Sequence, residues 1–391
     1  MNFQRMEDLD LTSKRVLIRE DLNVPMDGKN ILNDTRIRMA VPTIKFALEK
    51  GAHIFIISHL GRPKEGLSID EQPSFSLAPV GEKLSELLKC DVRFERNYLN
   101  RALEPNLNGI TLLENARINT GETSNDDALA RSYAGLCDVF IMDAFGTAHR
   151  AQASTHGVIK HSVKVCAGLL LSGELDALTR SLQNPDSPVL AIIGGAKIDG
   201  KLRILETLAA KVDQLMVGGG IANTFLAARG ISIGKSICEP NLIPLAKKLM
   251  SQTRIPLPID VATAKSFSPS EPRVIKSIYN IAPDEMILDI GPETIKERID
   301  TIEKMRTIIW NGPVGVFEFK NFSIGTQAIA KAVAQNTGFS IAGGGETISA
   351  IDTFEVSKDI SYISTGGGAF LEYLEGSKLP SIAMLEERCL N

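Results

Sequence analysis

Short apolar runs rich in valine and isoleucine alternate with helix-length segments along this chain. Buried runs that are separated in this way are typical of parallel βαβ units, so the pattern predicts an α/β fold with parallel sheets. We expect a first set of strands at residues 16–19, 53–58, 92–95, 111–114 and 139–143. A second set is expected at residues 189–193, 214–217, 287–290, 307–310, 339–342 and 362–365.

The length of 391 residues exceeds what one core usually holds, which favours two domains. Between the two sets of strands, Leu175, Leu178 and Leu182 recur at helical spacing, and prolines at positions 185 and 188 follow. We therefore predict two Rossmann-like, three-layer α/β/α domains, 1–170 and 189–372, joined by a helix and hinge at 171–188. The alternative, in which this helix is an ordinary surface helix of one domain, stays open.

Composition limits the class of protein. Hydrophobic residues make up 43% and charged residues 23%, with a net charge of -4, which favours a soluble protein and argues against nucleic acid as a partner. The acidic start of the chain predicts no signal peptide, and no apolar run approaches the ~18 residues of a membrane span. Five cysteines without CxxC spacing indicate a reducing compartment, so we expect a cytoplasmic protein without a membrane partner.

The residues that follow the predicted strands differ between the two halves. The first half places arginine and histidine there, and the second half places glycine. In open α/β sheets, ligands bind beyond the carboxyl ends of the strands. The first half therefore suits an anion bound by cationic side chains, and the second suits phosphates bound by backbone N–H groups. A chain with both is a candidate for moving a phosphoryl group between two substrates.

In the first half, several polar side chains are candidates to bind a small acid. Asp21 and Asn23 lie two apart in a segment that Pro25 keeps extended, where both can bind hydroxyl groups. Arginine binds carboxylate or phosphate with two parallel N–H bonds. The cationic candidates are Arg36, Arg62, Arg117, Arg150, His59 and His149. Any one arginine is more often a surface ion pair, but their recurrence at strand ends favours a multiply anionic ligand. For the two histidines both interpretations stay open.

The second half has five glycine-rich turns, at residues 194–201, 218–222, 310–318, 343–347 and 366–370. Glycine lets the backbone approach a phosphate, and Lys197 and Lys201 lie four apart, so that both can reach it. Glu318 suits ribose hydroxyls, while Glu346 at a predicted helix start suits Mg²⁺. One such turn is weak evidence, since tight turns use glycine anyway. Five of them predict a nucleotide-phosphate site.

Two familiar nucleotide-binding motifs are missing. Residues 230–236 resemble a P-loop, but they have three residues between the glycines instead of four and do not follow a buried strand. No G-x-G-x-x-G follows a strand with an acidic residue about 20 positions later. These absences argue against a P-loop ATPase and an NAD dehydrogenase.

Residues 16–25, 59–63, 143–150, 194–201, 310–318 and 343–347 together closely resemble the phosphoglycerate kinase family, and the similarity runs from about position 9 to 388. The resemblance implies a hinged two-domain enzyme that closes over its substrates. Such an enzyme interconverts 1,3-bisphosphoglycerate plus ADP with 3-phosphoglycerate plus ATP, with Mg²⁺, in glycolysis. It also implies that the C-terminal segment 373–391 packs back on the first domain, and we expect a monomer.

The resemblance carries over to individual positions. The phosphoglycerate site would comprise Asp21, Asn23, Arg36, His59, Arg62, Arg117 and Arg150. The nucleotide site would comprise Gly195, Lys201, Gly219, Gly220, Asn311, Glu318, Gly344, Gly345, Glu346 and Thr347. The transferring group would meet Arg36, Lys197, Lys201, Gly367 and Gly368. Glu346, the expected Mg²⁺ ligand, departs from the family, which usually has Asp there.

Two alternatives stay open at this stage. The first is another two-domain kinase or ligase of small acids, which would have the same glycine turns but a different acceptor. The second is a non-catalytic sensor of nucleotides or sugar phosphates, which would be expected to lack Arg36 or Lys201. Both residues are present.

Overall fold

The computed structural model describes residues 2–196 and 199–390. The chain divides into two compact units. The first unit comprises Met1–Asp176 and Lys378–Asn391, and the second comprises Ala177–Ser377. The C-terminal helix is therefore part of the first unit, where Arg388 donates to the carbonyl of Ser162 at 2.7 Å.

The first unit is built on a six-stranded parallel sheet. Its chain contains β1 (Arg15–Arg19), β2 (Met26–Asp27), β3 (Asn30–Ile31), β4 (His53–Ile57), β5 (Asp91–Glu95), β6 (Gly109–Leu113), β7 (Val139–Met142) and β8 (Lys164–Ala167). The sheet order is β5-β6-β4-β1-β7-β8, while β2 and β3 form a separate antiparallel pair. The connections reverse direction at β1, between β4 and β7, and such a switch point is where ligands bind in open α/β sheets.

The helices of the first unit cover the sheet. They are α1 (Thr35–Glu49), α2 (Ala78–Leu88), α3 (Asp127–Ala134), α4 (Val158–His161) and the first part of α5 (Leu169–Leu182). Ile37 and Ile44 of α1 and Leu84 of α2 pack into one cluster with the strand residues Val16 and Ile54. Each fully buried aliphatic side chain contributes about 1.5–3 kcal/mol, so this core fixes the strand ends from which the functional loops leave.

The second unit has a five-stranded parallel sheet and a three-stranded antiparallel sheet. Its strands are β9 (Val189–Ile193), β10 (Gln214–Val217), β11 (Asp260–Ala264), β12 (Val274–Ser277), β13 (Met286–Ile290), β14 (Thr307–Asn311), β15 (Phe339–Gly343) and β16 (Tyr362–Ser364). The parallel order is β10-β9-β14-β15-β16, so the direction reverses at β9.

The remaining helices follow these strands. They are α6 (Leu202–Ala209), α7 (Gly219–Ala228), α8 (Ile243–Gln252), α9 (Pro292–Ile302), α10 (Ile324–Gln335), α11 (Gly345–Thr353) and α12 (Gly368–Leu374), with α13 (Pro380–Leu390) in the first unit. The prediction of an α/β fold with parallel sheets is confirmed. Among the described residues, no helix is both long and apolar enough to cross a membrane, and all five cysteines are free thiols.

One strand was assigned to the wrong sheet. Residues 287–290 were predicted to belong to the parallel set, whereas β13 pairs antiparallel with β11, which pairs antiparallel with β12. The apolar run shows that a strand exists but not which strand it pairs with. Its partner β11 contains the buried polar residues Asp260 and Thr263, so it has no continuous apolar run that would reveal it.

Candidate functional site

Three of the predicted arginines line one cavity in the first unit. Arg62, Arg117 and Arg150, which follow β4, β6 and β7, border a volume of about 380 Å³ together with Thr123 and Gln152. We call this the arginine cavity. The carboxyl ends of these parallel strands lie at one edge of the sheet, which is why side chains far apart in sequence meet there.

Asp21, Asn23 and Arg36 are linked to this cavity through the turn at Gly61. The Arg36 guanidinium donates to Asp21 Oδ1 and to the Asn23 carbonyl, each at 3.0 Å. The Asn23 side-chain oxygen accepts from the Gly61 N–H at 2.8 Å, and the Gly61 carbonyl accepts from Arg117 at 2.7 Å. Gly61 has φ +59, and a Cβ there would lie 2.6 Å from the Phe75 ring, so only glycine fits.

His59 is buried among arginines and is neutral. Burial lowers its pKa well below the usual value, and the charges of Arg19, Arg117, Arg150 and Arg36 lower that pKa further. Arg19 Nη2 lies 3.3 Å from His59 Nδ1. Because arginine can only donate, Nδ1 is the acceptor and the ring proton is on Nε2. His59 therefore offers a neutral N–H donor rather than a further charge.

Sequence reasoning did not select Arg19 as a site residue. It is fully buried at the end of β1, and its Nε donates to Ser154 Oγ at 2.9 Å. Ser154 in turn donates to Glu122 at 2.5 Å. Ser154 and Glu122 lie more than a hundred positions from Arg19, so no local pattern could show this network.

The lining of the arginine cavity carries a positive net charge, since three arginines face one carboxylate, that of Glu65. Burial lowers the pKa of Arg117 to about 10, and the neighbouring charges of Arg150 and Arg19 add to this effect. His149 accepts a hydrogen bond from Arg150 Nε at 3.1 Å, and burial followed by the Arg150 charge lowers the pKa of His149. His149 thus orients Arg150 as a neutral acceptor. An anion bound in this cavity would relieve the repulsion among the arginines.

In the second unit, Lys201 and Glu346 lie beside the glycine turn that follows β9. Lys201 Nζ donates to the Gly194 carbonyl at 2.6 Å. A Cβ placed on Gly195 would lie 3.4 Å from Lys201 Nζ and 3.7 Å from Glu346 Oε2. Burial lowers the pKa of Lys201, whereas the Glu346 charge raises it. The Lys201 ammonium and the Glu346 carboxylate therefore flank the backbone of Gly195, which has no side chain of its own to obstruct a ligand.

Asn311 and Thr347 hold the neighbouring turns together. Asn311 Nδ2 donates to the Gly343 carbonyl at 2.7 Å. The Thr347 hydroxyl accepts from the Gly312 N–H at 2.7 Å and donates to the Gly343 carbonyl at 2.8 Å. Both residues join the loop after β14 to the loop after β15. The buried Thr347 hydroxyl is therefore engaged within the protein.

A second cavity, of about 350 Å³, begins at this glycine turn, and we call it the glycine cavity. Five predicted residues line it: Gly195, Gly219, Gly220, Glu318 and Glu346. A Cβ on Gly220 would lie 2.1 Å from the Ala196 carbonyl oxygen, so these backbones touch directly. The rest of the wall is largely apolar and was missed by sequence analysis, because it comes from separate elements: Leu226, Val261, Phe267, Leu288 and Val316. Such a cavity suits a ligand with a phosphate end and a flat apolar end.

Four further predicted glycines follow the ends of β15 and β16. Gly344 has φ +95, and Gly345 begins α11. Gly367 has φ +51 and precedes Gly368, the first residue of α12. Lys197 lies outside the described residues.

The rejected P-loop look-alike follows helix α7 rather than a strand. A Cβ on its Gly234 would lie 2.2 Å from the Glu285 carbonyl oxygen. This turn therefore packs closely on protein backbone, and Lys235, which follows Gly234, lines the glycine cavity.

The residues that the structure describes contain no group of three or more His, Cys, Asp or Glu side chains placed to bind a metal ion. Mg²⁺ is commonly bound by one or two carboxylates together with substrate phosphates rather than by a full protein cage. Glu346, an exposed carboxylate in the first turn of α11, fits this role beside the glycine cavity.

Comparison with known proteins gives a consistent result. The sequence profile of the family "Phosphoglycerate kinase" matches residues 6–377. The solved structure of phosphoglycerate kinase from Coxiella burnetii is 48% identical, with a TM-score of 0.95, over 99% of this chain and 100% of that chain. Phosphoglycerate kinase from Pyrococcus horikoshii OT3 is 30% identical, with a TM-score of 0.81, over 98% of each chain. These matches confirm the resemblance and the phosphotransferase activity that the sequence predicts. This chain belongs to the phosphoglycerate kinase family.

Proposed function

We propose that this chain catalyses the reversible, Mg²⁺-dependent transfer of a phosphoryl group from 1,3-bisphosphoglycerate to ADP, giving 3-phosphoglycerate and ATP. The observation that carries this proposal is the arginine cavity, in which Arg62, Arg117 and Arg150 border one small volume. The depressed pKa of Arg117 reflects burial and the charges of the neighbouring arginines. A small, multiply anionic acid is the ligand that this arrangement favours.

The acid substrate is expected to bind along the edge of the first sheet. Arg62, Arg117 and Arg150 contact its non-transferring phosphate, and the neutral His59 donates from Nε2. Asp21 and Asn23 accept from and orient its hydroxyl group, and Arg36 contacts the end that carries the transferred phosphoryl group. The ion pair between Arg36 and Asp21, at 3.0 Å, already fixes the guanidinium that this role needs.

The nucleotide is expected to bind in the glycine cavity. The base lies against the apolar wall, Glu318 accepts from the ribose hydroxyls, and the phosphates lie over Gly195, Gly219 and Gly220. Gly344 and Gly345 approach the same phosphates, and Asn311 and Thr347 hold their loop in place. Lys201 supplies positive charge to the phosphates. We assign the same role to Lys197, and donor roles for the transferring group to the backbone amides of Gly367 and Gly368.

Mg²⁺ would reach the protein with the nucleotide and would be bound by Glu346. Bound there, it would neutralise charge on the nucleotide phosphates. The longer Glu side chain in place of the family's usual Asp places the carboxylate farther from the backbone of α11. Glu346 also affects Lys201, whose pKa its charge raises.

Phosphoryl transfer requires little covalent chemistry from a protein, because positioning and charge stabilisation provide most of the rate. The acyl phosphate is already activated, so an ADP oxygen can attack without a protein nucleophile or a general base. Arg36 and Lys201 stabilise charge on the transferring oxygens, and one donor of this kind contributes about 3–4 kcal/mol.

The direct test is a coupled assay of ATP formation from 1,3-bisphosphoglycerate and ADP, run in parallel with a panel of other phosphorylated acids. We expect activity with 1,3-bisphosphoglycerate and its loss on removing Mg²⁺. Activity confined to a different acid would show that the substrate is assigned wrongly. We further propose a monomer acting in the cytoplasm, which size-exclusion chromatography with light scattering and cell fractionation would check.

A further inference from the structure

Two carboxyl groups lie side by side in the interior of the first unit, and the reaction does not use either of them. Glu20 follows β1 and Asp143 follows β7, which are neighbouring parallel strands. The Asp143 N–H donates to the Arg19 carbonyl at 3.0 Å, which fixes the two strand ends against each other. Both side chains are fully buried.

Hydrogen-bond donors are missing where these carboxyl groups need them. In the part of the chain that the structure describes, no N–H or O–H group bonds to either Glu20 oxygen or to Asp143 Oδ2. The fourth oxygen, Asp143 Oδ1, accepts from the Leu171 N–H at 3.0 Å. Leu171 is in the first turn of α5, so Asp143 binds the start of that helix. Among the described residues, Asp143 therefore has a donor and Glu20 has none.

Two adjacent buried carboxylates repel each other, and these two lack donors that ionised oxygens require. Burial, followed by the proximity of Asp143, raises the pKa of Glu20 well above its usual value. Burial also raises the pKa of Asp143 to about 6. A carboxylic acid supplies one O–H donor, and a neighbouring carboxylate can accept it. One proton on Glu20 would therefore donate to Asp143 Oδ2, an oxygen to which no described N–H or O–H group donates.

We propose that Glu20 and Asp143 share one proton at neutral pH, and that this acid pair is a positioning element which joins the end of β1 to the first turn of α5. Glu20 is connected to two of the residues assigned to the acid substrate. The Glu20 carbonyl accepts from Ser58 Oγ at 2.7 Å and from the Arg19 guanidinium. Ser58 precedes His59, and Asp21 follows Glu20, so the position of Glu20 affects both. The kinetic part of this inference rests on the proposed function.

The surroundings of the pair do not offer a substitute for the proton. Arg19 and Asp21 are the charged neighbours of Glu20, and the Arg19 charge only partly offsets the effect of burial on its pKa. β8 contributes the buried thiol of Cys166 near Asp143. α1 contributes the Thr43 hydroxyl, and α5 contributes its first backbone N–H groups, all on the Asp143 side.

Loss of the shared proton at alkaline pH would leave two like charges in contact and would push the end of β1 away from α5. We expect KM for 3-phosphoglycerate to rise at alkaline pH, while KM for the nucleotide changes little, because the glycine cavity lies in the second unit. Because the folded state holds a proton that the unfolded state releases, stability falls as pH rises towards the pKa of the pair. The unfolding equilibrium constant would increase up to tenfold per pH unit in that range.

The test uses the full-length protein and two matched variants. In Glu20→Gln, the amide side chain has nearly the same shape as the acid and can donate an N–H to Asp143, but it has no titratable proton. Glu114→Gln is the control, since Glu114 is equally buried but accepts from Ser76 Oγ and from the Leu77 and Asn115 N–H groups. Infrared difference spectra at pH 7 should show the carbonyl band of a protonated carboxylic acid that Glu20→Gln removes and Glu114→Gln retains. If Glu20→Gln leaves that band unchanged, the shared proton is refuted.

The kinetic measurement tests the positioning role separately. In Glu20→Gln, the alkaline rise in KM for 3-phosphoglycerate should be lost, and Asp143→Asn, which can donate to Glu20, should behave similarly. If both variants keep the wild-type pH profile of KM, the acid pair does not position the residues assigned to the acid substrate. If the wild type has no kinase activity, the proposed function fails, and the infrared result still decides whether the proton is shared.

Discussion

Replacing Gly61 with alanine tests how the arginine cavity is built. Gly61 has φ +59, a conformation that costs an L-residue about 1–2 kcal/mol. The new methyl group would lie 2.6 Å from the Phe75 ring, and relieving such overpacking costs about 1–3 kcal/mol. Gly61→Ala should therefore lower the free energy of unfolding by about 2–5 kcal/mol.

Gly28→Ala separates the two contributions. Gly28 has almost the same backbone conformation, with φ +57, but a Cβ there would meet nothing within 4 Å. Gly28→Ala should therefore lower the free energy of unfolding only by the conformational cost of about 1–2 kcal/mol. Urea denaturation of both variants measures the two losses. If the two variants lose the same stability, the contact with Phe75 does not restrict the turn.

Gly61→Ala should also affect the binding of the acid substrate. The Gly61 N–H binds the Asn23 side chain and its carbonyl binds Arg117. A shift of this turn displaces both residues, so Gly61→Ala should raise KM for 3-phosphoglycerate and leave KM for ADP close to the wild-type value. An equal rise in both constants, or no rise in either, would contradict the assignment of Asn23 and Arg117 to the acid substrate.

Three further predictions concern single side chains. Arg36→Ala should lower kcat by a factor that corresponds to about 3–4 kcal/mol and should have little effect on ADP binding. If steady-state kinetics show an intact kcat, Arg36 takes no part in the chemistry. Glu346→Gln should weaken the dependence of activity on Mg²⁺, and an unchanged Mg²⁺ titration would reject the metal role. Burial raises the pKa of Asp289 from 3.8 to about 7, so this group should destabilise the fold increasingly as pH rises from about 4 to 7, by about 4 kcal/mol in total. Asp289→Asn should remove this contribution to the pH dependence of the free energy of unfolding. If the variant loses as much stability between pH 4 and 7 as the wild type does, Asp289 is not the titrating group.

The sequence predicted the parallel strands best because their burial on both faces leaves a continuous apolar run. β6 and β7 are buried at every position. β8 was missed because it is short, starts at the exposed Lys164 and lies at the sheet edge. β12 was missed for a related reason, since three of its four residues are exposed. β5 also has no buried residue, but Val92 and Phe94 alternate with polar residues, and this alternation was enough to predict it.

Candidate site residues could be predicted where a cationic side chain comes shortly after the end of a predicted strand. Arg62, Arg117 and Arg150 were selected in this way, and the structure places them around one cavity. The acid pair was not predictable, because Glu20 and Asp143 lie more than a hundred positions apart and each resembles an ordinary acidic residue at a loop. Only the fold shows that both are buried and that three of their four oxygens have no donor among the described residues.

The two cavities differ in how they obtain their positive character, and this difference follows from the elements that build them. In the first unit, side chains supply the charge, so buried partners are needed to orient it: Arg19 orients His59, and His149 orients Arg150. In the second unit, we expect backbone N–H groups to add to the charge of Lys201, so glycine is needed at close backbone contacts, as at Gly220. A substitution that removes one of these hydrogen-bond partners should therefore impair the first unit's site, as should a Cβ at Gly61, whereas in the second unit a Cβ at Gly220 should impair the site.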